Sequence, residues 1–265
     1  MIKLGILGCG NMGGAILRGW SSSPELAGQI SFYAYDKSPT ACVCPAGKVN
    51  LVNSEAELAR EADQLLLAVK PQYMAEALRP MRAELHKGKL LVSIAAGITI
   101  AGVKDLAGDL PVVRVMPNTP AMVGQGIFGL CFDDPGVNAE QKAWVEKLFA
   151  AIGVTLALPE KLFNAFTALS GGGPAYIYYF LDALVEAGVT LGLTRQESAR
   201  VALALAKGSV ALAEESGLPL TALREQVCSP GGTTIEATNH FDRKGLRGHI
   251  VDAVALACEK GKKLG

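Results

Sequence analysis

The chain has 265 residues, of which 50% are hydrophobic and 19% charged; 25 basic residues balance 25 acidic ones, for a formal net charge of zero. That length suits two domains or one large one, and the composition is that of a folded globular protein rather than a disordered one. A neutral balance gives no general attraction for nucleic acid or an anionic membrane surface. No uncharged apolar stretch reaches the length of about 18 residues needed to span a bilayer. The apolar run 201–213 contains Lys207, and the run 175–193 contains Asp182 and Glu186. The N-terminal stretch carries one basic residue before an apolar run that ends in glycines, which makes a poor signal peptide. A cytoplasmic protein with no membrane and no nucleic-acid partner is therefore expected.

Ile2, Leu4, Ile6 and Leu7 make a short apolar run that stops at Gly8-Cys9-Gly10-Asn11-Met12-Gly13. Ala15, Ile16, Leu17 and Trp20 then follow at helical spacing. A strand, a three-glycine turn and a helix form the opening unit of a dinucleotide-binding domain. One glycine makes the turn, one lets the backbone approach a pyrophosphate, and one lets the helix pack closely on the strand. The anion sits at the helix N-terminus, where free N–H groups and the dipole favour it.

A second strand is expected at 30–35, ending at Asp36-Lys37-Ser38. Asp36 suits a ribose 2′-hydroxyl and hence NAD, whereas Lys37 and Ser38 suit a 2′-phosphate and hence NADP; the residues leave both open. Residues 41–50, with Cys42, Cys44 and Pro45, do not read as a regular helix. Ser54 followed by Glu57 is a capping box. Leu65-Leu66-Leu67-Ala68-Val69 is a continuous apolar run, as expected of a parallel strand buried on both faces, and it ends at Lys70-Pro71. Further strands are expected at 90–94, ending in Ala95-Ala96-Gly97, and at 112–115, ending in Met116-Pro117-Asn118-Thr119-Pro120. Two more are expected at 127–132 and 154–158, with an amphipathic helix at 139–151 between them. Residues 1–158 thus read as a doubly wound α/β domain, with ligands at the carboxyl ends of its parallel strands.

From Glu160 onward the pattern is helical, with runs at 161–169, 175–188, 195–215, 220–227 and 246–262. Two glycine-rich breaks interrupt it, Ser170-Gly171-Gly172-Gly173-Pro174 and Ser229-Pro230-Gly231-Gly232-Thr233-Thr234. The run 175–193 is apolar around most of its circumference, which suits either packing against a second subunit or a central position in one domain. The second break leads into the helical residues Ile235-Glu236-Ala237. It reads either as a backbone nest for a small anion such as a carboxylate or as an ordinary capped turn. Six cysteines and three histidines fit no zinc spacing, so free thiols and no metal are expected. Tyr33 and Lys37 form the Tyr-x-x-x-Lys pattern, but on a strand rather than a catalytic helix. Asp182, Glu186, Glu214, Glu215 and Glu236 read mostly as solvated helix faces. A site without an obvious strong acid suits a substrate that needs hydride but little help with protons.

These signatures make the chain resemble the pyrroline-5-carboxylate reductases along almost its whole length. The matching segments are the glycine turn at 8–13, Ala68-Val69-Lys70-Pro71, Ser93-Ile94-Ala95-Ala96-Gly97, Met116-Pro117-Asn118-Thr119-Pro120, residues 170–176, and Val227-Cys228 with 229–234. The resemblance implies an α/β Rossmann-type N-terminal domain (1–158) followed by an all-α C-terminal dimerisation domain (159–265), assembled as a homodimer or higher homo-oligomer. It implies reduction of a small imino acid, 1-pyrroline-5-carboxylate, to L-proline by hydride transfer from NAD(P)H, with NADPH expected and NADH as the alternative.

By position, the resemblance assigns Ile6, Gly8, Cys9, Gly10, Asn11 and Met12 to the cofactor, the glycine turn holding its pyrophosphate. Lys37 and Ser38 fall by the adenosine ribose and Asn53 by the adenine. Ala68, Val69, Lys70, Pro71, Ala95, Ala96 and Gly97 fall along the ribose and nicotinamide side. Ser229, Gly231, Gly232, Thr233 and Thr234 take the substrate carboxylate, with Thr234 as the catalytic residue at the ring nitrogen and Glu215 near the substrate. Gly172 stands where many relatives have serine, so no side-chain role is expected there. One rival is a reductase of the β-hydroxyacid dehydrogenase type, which needs a catalytic lysine; Lys207 is the nearest candidate, in surroundings that do not match. The other is a non-catalytic nucleotide sensor, which has no need of an intact 229–234 nest.

Overall fold

The computed structural model describes residues 1–38, 42, 48–86 and 88–263. Its strands are β1 (Ile2–Leu7), β2 (Ile30–Tyr35), β3 (Val49–Leu51), β4 (Gln64–Leu67), β5 (Leu90–Ser93), β6 (Val112–Met116), β7 (Gly126–Cys131) and β8 (Gly153–Ala157). They form one sheet in the order β3-β2-β1-β4-β5-β6-β7-β8. Pairing is parallel from β3 to β6 and between β7 and β8, and antiparallel only between β6 and β7. The connecting helices are α1 (Asn11–Ser22), α2 (Glu55–Glu61), α3 (Met74–Leu78), α4 (Ile100–Ala107) and α5 (Ala139–Ala150).

Successive side chains along a strand point to opposite faces, so each continuous apolar run feeds two buried layers. Leu4 and Ile6 of β1, Leu66 of β4, Val92 of β5 and Val113 of β6 join a layer with α1 and α5. Leu7, Leu65, Leu67, Leu91 and Val112 join the opposite layer with α2, α3 and α4. Trp20 locks α1 to α5: its indole N–H donates to the Leu148 carbonyl at 2.7 Å, and its ring meets Phe149 edge-on at 5.3 Å.

Three elements go beyond the sequence reading: the short edge strand β3 and the helices α3 and α4. Thr99 starts α4, its Oγ1 accepting from Gly102 N at 3.0 Å. The expected box at Ser54 forms in one half only. Ser54 Oγ accepts from Glu57 N at 3.1 Å, but the Glu57 carboxylate reaches one residue further back, to Asn53 N at 2.8 Å. Of the irregular segment expected at 41–50, residues 41 and 43–47 lie outside the described residues, and β3 takes up its end.

Beyond β8 every described element is helical: α6 (Phe163–Phe166) running into a π-helical turn (Thr167–Gly171), then α7 (Gly173–Thr190), α8 (Arg195–Ser216), α9 (Leu220–Val227), α10 (Thr233–Arg243) and α11 (Leu246–Lys262). The chain divides into two compact units, 1–172 with 257–265, and 173–256. The first unit thus runs past the expected boundary at 158. Phe163 belongs to its core, and the buried Arg114 both pairs with Glu160 at 3.1 Å and lies 4.9 Å over the Phe163 ring.

In the second unit α7 and α8 bury little. Among its described residues only Val185, Ser198 and Ala202 are buried, whereas Ile177, Tyr178, Tyr179 and Phe180 of α7 and Val201, Leu203 and Leu205 of α8 are exposed. The apolar helix is therefore not a central helix enclosed by its own unit. No described helix is long and apolar enough to cross a membrane.

Leu66 is fully buried on a central strand. Leu66→Ala is expected to cost about 2–5 kcal/mol in a urea unfolding titration of the first unit. A cost below about 1 kcal/mol would contradict this packing of β4.

Candidate functional site

The carboxyl ends of β2, β1 and β4 open onto a cleft of about 370 Å³. This is where the strand order reverses, since β1 is flanked by β2 on one side and β4 on the other, the usual place for a ligand in a doubly wound sheet. The turn after β1 shapes the floor. Gly8 has φ +97°, and a Cβ there would stand 2.9 Å from the Ala68 carbonyl. A Cβ on Gly13 would overlap the Gly8 carbonyl oxygen, so α1 reaches its close seat on the turn only with glycine there. Gly10 is exposed and lines the cleft. It is also the N-cap of α1, with no side-chain cap and no acidic residue in the first turn. The first N–H groups of α1 are thus left for an anion.

Asp36 ties this turn to the end of β2. One carboxylate oxygen accepts from Cys9 N at 2.7 Å and the other from Ser38 N at 2.8 Å. Beside it, Lys37 Nζ donates to Glu76 Oε1 at 2.5 Å. The pair holds Lys37 above and Glu76 below their ordinary pKa values, each chiefly through this hydrogen bond. Glu55 and Tyr35 lie alongside in the cleft wall; burial, with the Glu55 charge second, pushes the Tyr35 hydroxyl up. An uncapped helix N-terminus, bare glycine backbone and a lysine at the end of β2 fit the pyrophosphate and ribose of a dinucleotide.

Of the expected cofactor residues, the cleft gathers Gly8, Gly10, Lys37, Ser38, Ala68, Val69 and Lys70. Ile6 and Cys9 have side chains buried in the core beneath the turn, leaving only their backbone to face a ligand. Asn11 is exposed and Met12 half-buried in the first turn of α1. Asn53 lies outside the lining, its backbone N–H and Nδ2 both turned to Glu57. Pro71 opens a 3-10 turn (Pro71–Tyr73) and is exposed, while Tyr73 reaches the lining instead. Ala95, Ala96 and Gly97 follow β5, the next strand over, with Ala95 buried and Gly97 at φ +79°. Tyr35, Glu55, Tyr73 and Glu76 are lining residues that sequence reasoning missed. Glu55 carried a signal, as the first residue after the Ser54 cap; Glu76 carried none.

Two further signatures meet at the end of β6. Asn118 Oδ1 accepts from Ile127 N at 3.0 Å, and its Nδ2 donates to the Ser170 carbonyl at 3.3 Å. Gly171 lies against Met116, whose Cε would be 3.1 Å from an added Cβ. The π-helical turn therefore rests on the Met116-Pro117-Asn118 segment.

In the second unit, Ser229-Pro230-Gly231-Gly232 makes a β-turn closed by Gly232 N donating to the Ser229 carbonyl at 3.0 Å. Proline in second place and glycine at φ +70° in third suit a type II turn. Gly232 then caps α10 with no side-chain hydrogen bond. Thr233 is exposed and Thr234 half-buried in the first helical turn. Glu215 is exposed in the last turn of α8, with no hydrogen bond to 229–234 among the described residues.

Because both Asp36 oxygens hold backbone, Asp36→Ala is expected to weaken NADH and NADPH binding alike, by about tenfold, the scale of orphaned backbone donors. Isothermal titration measures this. A loss confined to NADH would show instead that Asp36 reads the ribose hydroxyl.

A family model described as NADP oxidoreductase coenzyme F420-dependent matches residues 3–97, and one described as pyrroline-5-carboxylate reductase dimerisation matches 160–264. The chain is 36% identical over 264 residues to the pyrroline-5-carboxylate reductase of Escherichia coli (strain K12), covering 99% of this chain and 98% of that one. A crystal structure of Plasmodium falciparum pyrroline carboxylate reductase with NADP bound is 34% identical, with a TM-score of 0.86 over 100% of this chain and 98% of that one. The pyrroline-5-carboxylate reductase of Coxiella burnetii is 29% identical, with a TM-score of 0.90 over 99% of this chain and 98% of that one. The chain belongs to the pyrroline-5-carboxylate reductase family.

Proposed function

We propose that this chain reduces 1-pyrroline-5-carboxylate to L-proline with hydride from NAD(P)H, the last step of proline biosynthesis. The reading is carried by one pairing: a dinucleotide-type cleft in the first unit, and in the second a glycine turn opening an uncapped helix of the kind that takes a carboxylate. Reduced nicotinamide supplies the hydride when bound. The substrate is a cyclic imine that, once protonated, already accepts hydride well, so the protein's task is mainly to position it.

In this reading Ser229, Gly231, Gly232 and Thr233 hold the substrate carboxylate with backbone N–H and hydroxyl donors at the start of α10. Thr234 is the catalytic residue, its hydroxyl donating to or orienting the ring nitrogen, and Glu215 lies nearby. The turn at 8–13 holds the pyrophosphate, with Ala68, Val69, Lys70, Pro71, Ala95, Ala96 and Gly97 along the nicotinamide side and Asn53 towards the adenine. NADPH is the proposed cofactor, through Lys37 and Ser38, with NADH accepted. The exposed apolar faces of α7 and α8 are of the kind a second copy covers, which supports a homodimer or larger homo-oligomer. Cys42, Cys131, Cys228 and Cys258 form no disulfide among the described residues, which supports a reducing, cytoplasmic setting.

Steady-state turnover of synthetic pyrroline carboxylate with each cofactor tests the activity, and its absence with both would refute it. Thr234→Ala is expected to lower kcat/KM by about a hundredfold; unchanged turnover and substrate affinity would remove Thr234 from the site. A Cβ on Gly232 would stand 2.5 Å from Ser229 Oγ, so Gly232→Val should distort the turn. Substrate binding is then expected to vanish while NADPH binding is kept. Loss of both in a folded variant would overturn the assigned division of labour.

A further inference from the structure

We propose that Glu76 sets how strongly this chain distinguishes NADPH from NADH, by occupying the Lys37 ammonium that a ribose 2′-phosphate requires. This rests on reading the cleft at the end of β2 as the adenosine side of the cofactor site.

Lys37 and Glu76 line the same cleft, and their charged ends are 2.5 Å apart. The Glu76 carboxylate is exposed, but its helix is anchored. It sits on α3, whose neighbours Met74, Ala77 and Leu78 are buried in the core, so the helix is fixed with Glu76 on the cleft side. Asp36, the carboxylate beside Lys37 in sequence, is already engaged by Cys9 N and Ser38 N. Glu76 is the carboxylate that Lys37 pairs with.

A 2′-phosphate brings nearly two negative charges and must displace or crowd the Glu76 carboxylate to reach Lys37. A ribose 2′-hydroxyl meets no such opposition, because it can donate to Glu76 and accept from Lys37 together. The pair therefore penalises NADPH and spares NADH. Glu76 is a positioning residue acting through Lys37.

The test is the ratio of NADPH to NADH dissociation constants, by isothermal titration of the whole protein. This ratio responds to the 2′-phosphate alone and is blind to a general structural defect. Glu76→Gln is expected to tighten NADPH by about two- to fivefold, the range of an exposed ion pair, and to leave NADH unchanged. In a Lys37→Ala background the same substitution should change nothing. Suppose Lys37→Ala weakens NADPH but Glu76→Gln leaves the ratio as it was, or the gain persists without Lys37; the role of Glu76 is then overturned. If Lys37→Ala itself leaves NADPH binding unchanged, the cleft is not the 2′-phosphate site and the underlying reading falls.

Discussion

One carboxylate organises the candidate cofactor site. Asp36 accepts a backbone N–H from the glycine turn on one oxygen and a backbone N–H from its own loop on the other, at 2.7 and 2.8 Å. Bonds to an ionised acceptor are roughly twice as strong as neutral ones. Together with Gly8 N donating to the Tyr35 carbonyl at 2.9 Å, they lock the end of β1 to the end of β2. That lock helps hold the turn with its left-handed glycine and its open N-terminal N–H groups. Asp36 thereby acts on the cofactor site through the backbone it secures.

Helix N-termini in this chain start in several ways, those of α3, α6 and α9 following Tyr73, Leu162 and Pro219 with no side-chain cap. The starts of α2, α4, α5 and α8 are each closed by a side chain, from Ser54, Thr99, Asn138 and Thr194, which satisfies one of the orphan N–H groups. The starts of α1 and α10 are capped by Gly10 and Gly232, which supply no side-chain acceptor. These are the two helices to which the reductase reading gives anions, a pyrophosphate and a substrate carboxylate. A glycine cap gives up part of the stabilisation a serine would bring, and leaves the N–H groups to a ligand.

The two compact units differ in how they are stabilised. The first buries Trp20, Phe128, Phe149 and Phe163 in layers on both faces of its sheet. The second buries only Val185, Ser198 and Ala202 among its described residues and leaves aromatic and aliphatic side chains of α7 and α8 in the open. So few buried side chains offset little of the conformational entropy lost on folding. A second copy, as proposed, would supply the missing burial. It also accounts for a helix that is apolar around most of its surface yet unburied within its own unit.

The sequence alone was enough for whatever depends on neighbours along the chain. The glycine turn of 8–13, the doubly buried run at 65–69, the Ser54 cap, the helical character after 160 and the turn at 229–234 are local matters of φ, spacing and capping, and each is legible in a few consecutive residues. Tertiary structure alone decided what depends on distant partners. It set the antiparallel pairing of β6 with β7 and drew Phe163 and Glu160 into the first unit. It also closed the carboxylate of Asp36 onto Cys9, 27 residues away, and brought Glu76 to Lys37 across 39 residues. Such contacts have no sequence signal, because the side chain is common and only the sheet order determines what stands opposite it.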